Sequence, residues 1–323
     1  MKKYTICKIL LVILAIFLCV AFYELLGICV AYKKQPEVSN TTKKETKNGS
    51  WNECSENTER AVIIEKNPEA LLQRVRLIKN AKKEIILSTF AFQSDESGKL
   101  ILGALHDAAD RGVHIRLLVD GMESWIDMEG NPYFYGLSSH ENVEIKLYNK
   151  ANPLKPWKMM GRMHDKYLIA DGKRYILGGR NTYNYFLGDF PGHKNYDRDV
   201  LVVCDEPEKE NSVNQLLEYF ETIWEQEDSD YFHDNKKLAN RKSVKNAVLE
   251  LQNGYQKYFE ENKERICDTD YTDETFETEK IALVSNPIHT GSKEPVVCYR
   301  LGELIKNAKN RVKIHTPYII CND

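Results

Sequence analysis

At 323 residues the chain has room for a membrane anchor, one full domain and part of another, at about 100–200 residues per domain. Its 45 basic and 48 acidic side chains leave a formal net charge of −3, so the whole-chain field offers no attraction for a polyanion and nucleic acid is not an expected partner. The eight cysteines show no C-x-x-C spacing and indicate neither a zinc site nor a disulfide framework.

After a short flank, 1–8, the chain from Ile9 to Tyr32 is apolar except for Glu24. At about 1.5 Å per residue this stretch exceeds the ~30 Å core of a bilayer. It is longer than the apolar core of a secretory leader and no small-x-small pattern closes it, so 9–32 is predicted to be an uncleaved single-pass anchor. Lys2, Lys3 and Lys8 precede it and Lys33 and Lys34 follow, which leaves the orientation open. Residues 33–59, rich in Lys, Glu, Thr, Asn and Ser and nearly free of aliphatic side chains, are expected to be a flexible tether.

Residues 60–226 carry the pattern of an α/β domain. Apolar positions predict a helix over Pro68–Lys83, a strand over Glu84–Phe92, a helix over Gly98–Arg111 ended by Gly112, and a strand over Val113–Val119. Such alternation builds a β-sheet covered by helices. Further strands are predicted at Val143–Tyr148, Lys166–Asp171, Tyr175–Gly178 and Asp199–Cys204, the middle two joined at the Asp171-Gly172 turn signal. In 212–226, Val213, Leu216, Leu217, Phe220, Ile223 and Trp224 recur at helical spacing, as core packing does. The charged stretch 227–280 reads as a surface insertion or connector with a helix near Val244–Glu261.

An internal repeat follows. Leu77-Ile78-Lys79-Asn80-Ala81-Lys82 recurs as Leu304-Ile305-Lys306-Asn307-Ala308-Lys309, an offset of roughly 227 residues, each time ahead of a β-rich stretch with Thr89 or Thr316. Six consecutive identities exceed what shared helical periodicity demands. The expectation is a duplicated domain whose second copy begins at 281–323, the Thr316-Pro317-Tyr318 stretch being its first strand.

His164, Lys166 and Asp171 form H-x-K-x-x-x-x-D, and period-two alternation along a strand puts His164 and Lys166 on one face. A neutral imidazole can attack phosphorus and split one hard displacement into two easier ones, while an ammonium two residues away offsets charge on the phosphoryl oxygens. The same three residue types on an exposed strand and turn are also commonplace with no chemistry attached. Gly178-Gly179-Arg180-Asn181 follows at a strand end, where glycine permits close backbone approach to a ligand and Asn181 has an amide to offer. Trp157, Lys155 and Lys158, just before the motif, are within reach of membrane headgroups, but exposed loop positions with no special role are the favoured reading. The other histidines lack ligand spacing, and no metal is expected.

Met163-His164-Asp165-Lys166, Asp171, Leu177-Gly178-Gly179-Arg180-Asn181 and Tyr185-Phe186 together resemble the HKD motif of the phospholipase D superfamily in its bacterial cardiolipin synthase branch. Asp95-Glu96-Ser97-Gly98, Arg116-Leu117-Leu118-Val119-Asp120, Asp197-Arg198-Asp199-Val200 and the helix with Phe220 and Trp224 extend the resemblance over roughly Pro68 to Trp224. It implies two similar α/β domains, each giving one HKD motif to a shared site that works without metal or other cofactor. His164 would then be the nucleophile, Lys166, Asn181 and Gly179 would meet the phosphate, Asp171 would support the motif's geometry, and Asp197 would orient a partner histidine.

The function so implied is a phosphatidyltransferase of a bacterial cell membrane, acting on phospholipids such as phosphatidylglycerol. The rivals are a lipid hydrolase, a nuclease and an inactive lipid-binding module. A second histidine at the repeat offset would fall at about position 391. A lone motif lacks its acid unless a homodimer supplies one, so the chain as a monomer is not expected to convert phosphatidylglycerol.

Overall fold

The computed structural model describes residues 2–49, 59–204, 211–233 and 235–314. Helix α1 runs Lys2–Tyr32, seven residues further toward the amino terminus than its apolar stretch, because nothing before Ile9 interrupts the helical ladder. From Tyr4 to Tyr32 it is long and apolar enough to cross a membrane. Part of the expected tether is ordered: α2, Asn40–Asn48, is capped by the Ser39 side chain at the Thr42 amide and closed by Gly49 at φ 74°. Glu294 accepts from the Ser39 amide and the Thr42 hydroxyl, and Arg300 pairs with Glu45, so partners elsewhere in the chain hold this helix where its composition alone would not.

β1 (Glu59–Ile64) leads into α3 (Asn67–Asn80), with Pro68 in its first turn, where the missing N–H costs nothing. β2 (Glu84–Thr89) precedes α4 (Glu96–Asp110), capped by the Asp95 side chain at the Gly98 amide, and Gly112 at φ 89° leads into β3 (His114–Asp120). The short helices α5 (Gly121–Asp127) and α6 (Pro132–Ser138) come before β4 (Val143–Tyr148). β5 (Tyr167–Ala170) and β6 (Arg174–Gly178) form a hairpin whose turn residues Asp171 and Gly172 both have positive φ, 54° and 63°. That sign suits the right-handed twist of paired strands. β7 (Asp199–Cys204) and α7 (Ser212–Trp224) follow.

The resulting nine-stranded sheet includes two more strands, β8 (Ser229–Tyr231) and β9 (Phe276–Glu277), in the order β8-β4-β3-β2-β5-β6-β7-β1-β9. β2, β3 and β4 are parallel, and every other pairing is antiparallel. One face packs against α3, α4, α6 and α8 (Lys242–Glu261), through Leu71, Val75, Ile78, Leu105, Phe134 and Leu251. The other face is covered by α7 through Val213, Leu216, Phe220, Ile223 and Trp224.

The stretch 227–280 is therefore no surface insertion. β8 closes one edge on β4, β9 closes the other on β1, and α8 buries Val244, Ala247, Leu251, Tyr255 and Phe259 on a single stripe. A Cβ at Gly103 of α4 would lie 2.7 Å from the Leu251 carbonyl and 2.7 Å from Tyr255 Cβ, so the two helices meet at backbone distance. Charge on the outer face of α8 masks its role in the core. α9 (Lys263–Cys267) completes this layer.

Residues 281–295 form an irregular segment along α7, tied by the Gln215 side chain to the Leu283 amide and by the Gln226 side chain to the Ile288 carbonyl. It leads into α10 (Val296–Lys306). The two copies of the repeated hexapeptide both fall at helix ends, but Leu77 and Ile78 are buried whereas Leu304 and Ile305 are 59% and 46% exposed. The Thr316-Pro317-Tyr318 strand lies outside the described residues.

Candidate active site

The C-terminal ends of parallel strands are where α/β sheets bind ligands. β5 runs antiparallel to β2, so its start lies beside the end of β2, with Ser88 opposite Tyr167. His164 and Lys166 do not lie on the strand but precede it, and the ladder reaches only as far as the Gly178 amide donating to the Lys166 carbonyl at 3.1 Å. Leaving the sheet there frees the imidazole, which is exposed, while the Lys166 side chain is buried.

Phe90, one residue past β2, organises the group. The His164 ring meets it edge-on with centroids 4.6 Å apart, Lys166 Nζ lies 5.1 Å from the ring centre and the Arg162 guanidinium 4.9 Å on. Lys166 Nζ donates to the carbonyl of His164 at 2.6 Å, which joins the two motif residues directly. Asp120, at the end of β3 and 1% exposed, accepts from the amides of Met122, Glu123 and Met163 and from Arg162 Nε at 2.9 Å. This one carboxylate fixes the backbone immediately before His164.

His164 and Lys166 stand on a cavity of about 370 Å³ whose wall includes Tyr148, Arg162, Asp165, Tyr219 and, from the 281–297 segment, Asn286 and Lys293. Tyr219 on α7 donates to Asp165 Oδ2 at 2.7 Å. Burial pushes the Asp165 carboxyl up and the Lys293 ammonium down. Burial also pushes Lys166 down to about 8, against the carboxylates of Asp165, Asp197 and Asp120, which hold its charge. Although one side of the His164 ring is open to solvent, desolvation on the side facing the protein and then the Lys166 charge lower its imidazole, which favours the neutral form.

The sequence-derived residues separate into two groups. His164 and Lys166 come together on the cavity. Gly179 and Asp197 sit against each other: a Cβ at Gly179 would lie 2.0 Å from Asp197 Oδ2, so the close approach that glycine allows here is to a carboxylate of the same chain. Asn181 is 7% exposed and its Oδ1 accepts from the Ala91 amide at 3.3 Å, bracing the chain beyond Phe90. Asp171, grouped with the catalytic pair by its motif, stands at the far end of β5 and accepts from the amides of Lys82, Lys83 and Glu84 at 2.7–3.1 Å. Phe90, Arg162, Tyr219 and Lys293 escaped the motif reading, and Asp120 and Asp165 stood inside its quoted stretches without a role. Only Asp120, an acidic residue closing an apolar strand, left a local signal.

Two outcomes follow from this geometry. If His164 acts as the neutral nucleophile and Lys166 as the charged partner that the motif leads one to expect, the pH profile is bell-shaped. Turnover per bound substrate is expected to rise with pH through a value below the ordinary histidine 6.5 and to fall as Lys166 loses its proton near about 8; a flat profile across that window contradicts the assignment. Asp120→Asn keeps the volume but loses the charge facing Arg162 and puts an amide nitrogen, which cannot accept, where one of the two accepting oxygens stood. It is expected to lower phosphodiester cleavage about 10-fold or more while the fold persists, read by rate and circular dichroism together.

Residues 74–224 match the family described as "Cardiolipin synthase, PLD-like domain". Over these residues the chain carries a phospholipase D-like domain. The chain is similar to an uncharacterised protein of Helicobacter pylori strain J99, 30% identical over 212 residues, covering 61% of this chain and 39% of that protein. It is similar also to cardiolipin synthase C of Escherichia coli K12, 29% identical over 171 residues, covering 49% of this chain and 34% of that protein. The chain thus spans less than half the length of both relatives. The solved structure of NucT from Helicobacter pylori aligns with a TM-score of 0.42 at 18% identity, over 54% of this chain and 99% of that one.

Proposed function

We propose that the protein is a membrane-anchored phosphatidyltransferase similar to cardiolipin synthase, with α1 as the anchor and His164 as nucleophile. The observation that carries this reading is an exposed imidazole, its neutral form favoured, at the mouth of a polar cavity beside a buried lysine. The imidazole lone pair forms a bond to phosphorus and the bond from phosphorus to the headgroup oxygen breaks, giving a phosphatidyl-histidine and a headgroup alkoxide that takes a proton. A second alcohol, such as the glycerol hydroxyl of phosphatidylglycerol, then displaces the histidine and loses its proton. Lys166 and Arg162 hold the phosphoryl oxygens in both steps, and no cofactor is called for. Asp197 and Asn181 act as positioning residues through Gly179 and Ala91. In the family's arrangement the proton for the leaving headgroup comes from a second HKD motif in a paired domain.

The test uses a phosphatidyl ester of p-nitrophenol, whose leaving group departs as an anion and so needs no acid. Full-length protein in mixed micelles is expected to release nitrophenolate, to carry the phosphatidyl group on the peptide containing His164 after acid-free quenching, and to form phosphatidylglycerol when glycerol is added. Phosphatidic acid as the sole product, even in concentrated glycerol, makes the protein a hydrolase. Cleavage of single-stranded DNA without any reaction on lipid makes it a nuclease.

A further inference from the structure

The exposed apolar side chains before the motif are not scattered. Leu154 is 78% exposed, Trp157 46% and Met160 57%, all within one loop that ends four residues before His164. The loop is held firmly in this presentation: Asn149 Nδ2 donates to the carbonyls of Lys158 and Gly161 at 2.7 and 2.8 Å, and Lys158 pairs with Asp228 at 2.6 Å. A pinned loop that keeps its large apolar groups in water calls for an apolar neighbour.

α1 identifies that neighbour. From Tyr4 to Val20 every residue of the helix is exposed, a length of about 25 Å that nearly matches a ~30 Å hydrocarbon core. Beyond it Ala21, Glu24, Gly27, Ile28, Ala31 and Tyr32 form a part-covered stripe at helical spacing. That stripe faces the loop: a Cβ on Gly27 would lie 2.4 Å from Pro156 Cγ, and the Tyr23 hydroxyl donates to the Leu154 carbonyl at 3.0 Å. Leu154 is therefore level with the turn at which α1 leaves the hydrocarbon, the depth that tyrosine and tryptophan favour. A groove of about 520 Å³ lined by Tyr32, Met160, Arg162 and Lys293 runs from here and shares Arg162 and Lys293 with the catalytic cavity.

We infer that the loop 152–160 is an interfacial docking element, seating Leu154, Trp157 and Met160 among the headgroups of the bilayer that α1 crosses, with the adjoining groove as the path of a lipid phosphate to His164. This rests on the anchor part of the proposed function and on none of its chemistry. The full chain is reconstituted in vesicles of phosphatidylglycerol and phosphatidylcholine, with acyl chains brominated either just below the headgroup or near the tail. Shallow bromines are expected to quench a component of the tryptophan fluorescence that is lost in Trp157→Phe, and deep bromines to show no such difference. Equal shallow quenching in the two proteins overturns the docking element even when the protein floats with the vesicles. Protein that fails to float overturns the anchor and the docking together, while loss of catalysis with the quenching difference intact overturns only the chemistry.

Discussion

His164→Ala is expected to abolish the phosphatidyl-enzyme and to reduce nitrophenolate release by at least about 10³-fold, the order lost when a nucleophile is taken from a covalent site. Among the described residues, the groups beside His164 do not take over the attack. Lys166, which keeps its proton up to about 8, has no lone pair to offer, and Asp165 is held by Tyr219. The ring is exposed and packs on Phe90 only edge-on, so its removal leaves the fold intact and the loss is one of chemistry. Imidazole added to the variant should restore part of the release, with the phosphatidyl group leaving on free imidazole instead of the protein. Release by the variant within 10-fold of the parent, in preparations with the same thermal unfolding, removes His164 from the nucleophile role.

The largest expected loss of stability is at Asp199→Ala. Its carboxylate accepts from Arg74 at 2.9 Å and pairs with Arg180 at 3.2 Å, and all three side chains are at most 4% exposed. Arg180 also donates to the Asn67 side chain and to the carbonyls of Ile64, Glu65 and Asp197, which ties α3, the end of β6 and the start of β7 into one knot. Removing the single anion strands two guanidinium groups in the interior, a change that costs about 3–5 kcal/mol. Set against a total of about 5–15 kcal/mol, that is a large fraction of what holds the domain together. Thermal unfolding in detergent should fall by about 10 °C or more, and Asp199→Asn, which keeps an acceptor, by clearly less. A shift within 2 °C for the alanine variant means that water or a rearranged carboxylate satisfies the two arginines.

How legible each part was in the sequence depended on how local its cause is. The strands Val143–Tyr148 and Asp199–Cys204 have the bounds read from the sequence, the first because apolar and charged side chains alternate along it and the second because its apolar residues run on without a break. The Asp171-Gly172 turn was equally plain, because few residue pairs tolerate two positive φ angles. The membership of α8, β8 and β9 in the domain was not, for it depends on a partner face at Gly103 and on sheet edges that composition does not encode. The site divides in the same way. His164 and Lys166 are two residues apart, and their closeness is legible in that spacing although they precede the strand, whereas Phe90, Asp120, Tyr219 and Lys293 come to them from four separate stretches, Tyr219 and Lys293 as lining of the cavity and Phe90 and Asp120 as supports of the residues on it. Only the order of strands brings them together.

The hydrogen bonds of Asp171 give its place in the motif a different meaning. Five residues of extended chain, about 16 Å, separate it from Lys166. What it grips is the entry to β2, the strand that delivers Phe90 to the histidine. A slip of one residue between β2 and β5 would turn Phe90 and Lys166 to opposite sides of the sheet. The carboxylate thus works as an alignment peg at one end of a ruler whose other end is read by the substrate, and its loss would be felt as misregistration of the site rather than as missing chemistry.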